Sequence, residues 1–322
     1  MAYVCMYCLS ELQNNNPHNC RLLTQSGLDP RNHQFNGLVV KKPTVAALRT
    51  AIHGHALAEI PDFNPSCRKV AFDCIVDTTA HKVYVIVRCV LNFIVGPGAG
   101  AWSNADKTAT TLAVLNCVSF WDKTAALHYT INNATVDYDV EFFIDTSYPY
   151  NWRQKINIQS AAKPIALNNL IMMQCNALVP LGTNYVNSTT PAAGTGHYHT
   201  MQITQWSAVL YPTYTNQNNC VVMNAMAHEF GHMIGLPDEY VIIPNAWGNC
   251  ASDADRAGFL WTRRLTAEHI VIPATGPQFA DETIMNKIEA RPTGFLPRHY
   301  VTVLEAARYA GARQGLYGNW SV

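Results

Sequence analysis

Residues 228–238 read His-Glu-Phe-Gly-His-Met-Ile-Gly-Leu-Pro-Asp, an H-E-x-x-H-x-x-G-x-x-D string. No other stretch restricts the chain as much. On an α-helix, His228 and His232 stand one turn apart and project from one face. Two imidazoles so placed suit one Zn²⁺. Glu229 lies about 100° round the helix from His228. It therefore stands beside the metal, where a carboxylate can take a proton from water. Gly235 is placed to end the helix, because a left-handed C-terminal residue is cheap only without a Cβ. The chain can then turn sharply and return Asp238 as a third ligand. Three protein ligands leave a fourth position open, which marks a catalytic zinc site and not a structural one. Chance produces the whole string in about a few such chains per 100,000. That rarity weighs against the plainer reading, a buried helix with two satisfied histidines.

The string resembles the metzincin metallopeptidases, whose motif is H-E-x-x-H-x-x-G-x-x-H followed by a Met-turn. Asp238 stands where most members have His, as in the snapalysin-like branch. A carboxylate is a harder ligand than imidazole, which bears on metal preference. Glu239, one residue out of register, is the rival third ligand. Thr283-Ile284-Met285-Asn286 resembles a Met-turn, with Met285 coming 47 residues after Asp238. A plain turn with a packed Met is the alternative. The resemblance covers roughly residues 67–322. It implies an α+β, metzincin-like fold, with a twisted mixed sheet beside the zinc helix and a small C-terminal subdomain. It also implies zinc-dependent hydrolysis of peptide bonds in a protein or peptide substrate, with His228, His232 and Asp238 on the metal and Glu229 as the base.

Two short segments, Asp238-Glu239-Tyr240 and Arg298-His299-Tyr300-Val301-Thr302, are similar to peptidase toxin modules of bacterial polymorphic-toxin and contractile-injection systems. That likeness implies a toxin effector delivered by a secretion or injection apparatus. Two other functions fit the motif: a zinc amidase acting on cell-wall peptide, and a non-catalytic binding module with a structural metal. Glu229 argues against the second, because a structural site needs ligands and no base. Tyr240, His299 and Tyr300 are candidate donors to a developing oxyanion on chemistry alone.

Basic and acidic residues balance at 22 each. No global field favours nucleic acid or an anionic membrane. Charged residues make up 14% and hydrophobic ones 48%, so a folded core is expected and disorder is not. No basic stretch followed by an apolar core opens the chain, so no signal peptide is expected. Synthesis in the cytoplasm follows, with any export left to a dedicated system. No apolar run reaches the length of a membrane span. Ten cysteines are many for a cytosolic protein, and their even number permits pairing without demonstrating it.

Three regions are expected: an N-terminal Cys-containing extension over 1–66, an upper subdomain with the zinc helix over 67–236, and a lower subdomain over 237–322. Cys5, Cys8, His18 and Cys20 offer a second, structural zinc site, disulfides or plain thiols. Residues 43–60 have the composition of a helix, and Pro61–Pro65 reads as a linker, so few contacts should cross it. His53 and His55 fall on opposite faces of such a helix and are not a chelating pair. Strands are expected over 70–76, 83–95, 138–144, 155–159 and 197–206 in a mostly parallel sheet. His197 and His199 share a face of the last, where surface histidines are the plainer reading. A helix is expected from Ser103 or Asn104 to about Asp122, and another from Arg298 to about Arg313. Val222, Met226, Phe230 and Met233 form a stripe that fixes the zinc helix to the sheet. Cys220 and Cys250 are a conceivable pair across the site.

Overall fold

The computed structural model describes residues 2–5, 11–12, 38–65, 70–95, 101–147, 154–160, 181–182, 200–205, 230–231, 233–236 and 295–322. They form an α+β structure around a curled, mixed sheet. A small three-stranded sheet joins β1 (Tyr3–Cys5), β2 (Glu11–Leu12) and β3 (Leu38–Val40). Helix α1 (Val45–Ala51) follows, with Thr44 accepting the Ala47 N–H at its start.

The main sheet is centred on β6 (Lys82–Ile94). The first half of β6 lies antiparallel to β5 (Phe72–Asp77) and parallel to β8 (Ala134–Asp145). Its second half lies parallel to β9 (Gln154–Ser160). Beyond β9 come β10 (Leu181–Gly182) and β11 (Thr200–Gln205); beyond β8 come β7 (Lys123–Ile131) and β12 (Asn319–Ser321). β4 (Leu57–Phe63) pairs with β5. Among the described strands, parallel pairing is confined to β6–β8, β6–β9 and β9–β11, so the sheet is mixed and parallel pairs are not its majority. Short turns join β5 to β6 and β7 to β8, and a short turn permits antiparallel neighbours alone. Asn132 and Asn133 make the second turn with φ of 50° and 62°, the conformation that matches the twist of a hairpin.

β6 is apolar on both faces because both are covered. Val83, Val85, Val87 and Cys89 enter a large core with α2 (Asn104–Cys117) and α3 (Val301–Arg313). Tyr84 and Ile86 face a smaller cluster with Val45 and Leu48 of α1 and Ile52 just after it. Cys74, Cys89 and Cys117 are free thiols in the large core. Burial pushes each thiol far above its ordinary range, so they act as small apolar side chains.

Two expectations need correcting. The helix expected over 43–60 stops at Ala51, and Gly54, at φ 86°, turns the chain into β4. The linker expected at Pro61–Pro65 is in large part the end of that strand. Ala58, Ile60 and Phe63 point into the core, and a register shift between Ile60 and Phe63 accommodates Pro61. Nor does β4 stand apart, since α3 packs on both β4 and β5. At the other end, β12 pairs with β7. Residues 38–65 and 295–322 therefore share the core of the middle of the chain. Among the described residues, no helix is long and apolar enough to cross a membrane.

Candidate metal centre

Helical residues Phe230, Gly231 and Met233 mark the end of the site helix. Phe230, Met233, Ile234 and Leu236 are fully buried in the large core, as the expected stripe requires at its last two positions. The Phe230 ring meets Phe142 edge-on at 5.7 Å and lies 6.3 Å from Trp121. Trp121 is a hub, with Phe295 at 4.8 Å and Phe142 at 6.2 Å.

Gly235 ends the helix in the left-handed region, at φ 94°. The Leu236 N–H reaches back to the Gly231 carbonyl at 2.9 Å, and the Ile234 N–H bonds Phe230 O at 3.2 Å. A left-handed glycine with a bond spanning six residues is the Schellman ending. Glycine is required there a second time by packing. A Cβ on Gly235 would lie 3.0 Å from Pro65 Cγ, 3.4 Å from Thr302 Cγ2 and 3.5 Å from Val70 Cγ2. The last helical carbonyl, Met233 O, accepts a hydrogen bond from Gln154 Nε2 at 2.8 Å, and the same amide donates to Ala71 O at 3.0 Å. Pro65 just after β4, Val70 and Ala71 just before β5, Gln154 of β9 and Thr302 of α3 thus converge on the helix end.

His228, Glu229, His232 and Asp238 lie outside the described residues. So do Val222, Met226, Glu239, Tyr240, Met285, His197, His199, Cys220 and Cys250, and, of the N-terminal cluster, Cys8, His18 and Cys20. Among the described residues, no three His, Cys, Asp or Glu side chains are grouped to hold a metal ion. His55, on the turn after α1, is held by Asp77, with Nδ1 at 2.7 Å from Oδ2. Two of the candidate oxyanion donors belong to the framework. The Tyr300 hydroxyl donates to Trp121 O at 2.9 Å, and burial, with the nearby Asp122 charge, pushes the phenol far above its usual range. His299 is buried, and its Nδ1 accepts the Leu296 N–H at 2.9 Å.

Trp121, Gln154, Val70 and Thr302 complete this frame; of these, only Thr302 lies in a segment singled out by the sequence, the closing Arg298–Thr302 stretch. Gln154 immediately precedes a strand the sequence does show, but nothing local marks it as buried. Compared with protein-family models, with curated proteins and with solved structures, the chain matches none.

Proposed function

We propose that the chain is a zinc-dependent endopeptidase with a metzincin-like fold. The observation that carries this reading is the helix end at Gly235. The glycine of H-E-x-x-H-x-x-G-x-x-D adopts the left-handed turn that a returning third ligand needs. The buried face adds support. On helical geometry, His228 and His232 fall about 160° and 200° round from Phe230, away from the face that Phe230, Met233 and Ile234 bury. His228, His232 and Asp238 are then the residues that would hold zinc. Bound zinc would polarise the scissile carbonyl and the attacking water. Glu229 accepts the water's proton and delivers it to the leaving amine. Tyr240 is the donor candidate that remains for the developing oxyanion, since the Tyr300 hydroxyl donates to Trp121 O and His299 is fully buried in the framework. The two toxin-like segments support delivery of this peptidase as an injected effector.

Metal analysis of purified protein tests the reading. About one tightly held zinc per chain is expected, or two if the N-terminal cysteines also bind. Asp238→Ala should lose the metal, whereas Glu239→Ala should keep it. A metal-free wild type, never exposed to chelator, would sink the proposal. Loss on Glu239→Ala alone would move the third ligand by one residue.

A further inference from the structure

We infer that Gln154 is a positioning residue for the metal centre, acting through the end of the site helix; this rests on the peptidase reading above. Gln154 opens β9 and is wholly buried. Its amide spans two carbonyl oxygens, Met233 O at 2.8 Å and Ala71 O at 3.0 Å. Both partners are acceptors, so only the NH₂ end can face them. The other end, Oε1, is buried with no hydrogen-bond partner among the described residues. A buried amide with one end unpaired is costly and is seldom tolerated without a reason. The reason lies in what the donors hold. The ending bonds Leu236 N–H back to Gly231 and leaves the Met233 carbonyl facing the sheet, where Gln154 fixes it. Asp238 follows Leu236 by two residues, so the anchored carbonyl sets the point from which the third ligand departs. Groups that orient metal ligands from behind govern metal affinity as well as fold.

The test compares wild type, Gln154→Met and Ile86→Ala for zinc affinity by chelator competition and for the visible spectrum of the cobalt-substituted protein. Met keeps the length of Gln but donates nothing. Ile86 faces the α1 side of the sheet, so its truncation lowers stability without touching the helix end. Gln154→Met should bind zinc about 10–100-fold more weakly, with an altered cobalt spectrum, while Ile86→Ala keeps both at wild-type values. If Gln154→Met fails to fold, Gln154→Asn, which withdraws the amide by one methylene, is expected to show the same shift. Wild-type affinity and spectrum in the folded Gln154 variant would overturn the inference and leave the peptidase reading standing. Failure of the wild type to bind either metal would bring both down.

Discussion

Asp122 shows how single side chains tie the first part of the chain to the core. Its carboxylate accepts from Lys42 Nζ at 2.6 Å and from the Phe142 N–H at 2.8 Å. Burial nevertheless raises its pKa from 3.8 to about 6, against the pull of Lys42. The folded state therefore holds this proton more tightly than the unfolded state does. Asp122's contribution is greatest below the unfolded value and is lost as pH rises through about 6. Measured against Asp122→Asn, the wild-type melting temperature should improve as pH falls from about 7 to about 4. A gap that stays constant, or moves the other way, would show that the carboxyl is not held up by burial. Gly235 is the second informative residue. Gly235→Ala places a Cβ in the left-handed region, at a cost of about 1–2 kcal/mol, and 3.0 Å from Pro65 Cγ. A thermal melt should fall by several degrees, and zinc should bind more weakly. Unchanged stability would mean that the turn can be remade without glycine. Gly235 was legible in the sequence because the motif names it. Gln154 and Asp122 were not, because their importance comes from partners 79 and 20 residues away.

Among the elements, those with strong internal patterns were legible. The apolar stretch of β6, interrupted only by Arg88 and Asn92 after Val83, and the alternation within β8 are visible in the residues themselves. The expected strand over 70–76 is β5, and that over 155–159 lies within β9. Elements whose burial is decided by distant neighbours were missed. β12 is three residues long and exists through its pairing with β7. β4 looked like a helix running into a linker, because Pro61 breaks the alternation of Ala58, Ile60 and Phe63 at the bulge. This changes what truncation should do. Residues 1–66 looked removable from the sequence, yet they carry Leu48, Ile52, Ala58, Ile60 and Phe63 of the two cores. Burial of each larger side chain contributes about 1.5–3 kcal/mol. A chain beginning at residue 67 should be insoluble, or should lack a cooperative melt. A soluble, cooperatively melting product would show that the first segment is a separate unit after all.

For the whole molecule, an α+β architecture with a mixed sheet was legible, but which strands run parallel was not. A strand's pattern reports which face is buried and says nothing of whether its neighbour runs parallel. The candidate site divides in the same way. The motif names chemistry, while the frame of Trp121, Phe142, Gln154 and Thr302 around the helix end emerges from the fold alone. The central claim is that this frame carries a catalytic metal centre and not a structural one. Glu229 separates the two, since it is dispensable for holding zinc and indispensable if water must be deprotonated. The most direct measurement is turnover of a peptide library by wild type and Glu229→Gln at equal zinc content, with cell-wall fragments as a parallel substrate. The account predicts unchanged zinc and a melting temperature near wild type, with peptide turnover reduced by about 10²–10⁴. Equal peptide turnover in the two proteins would contradict it.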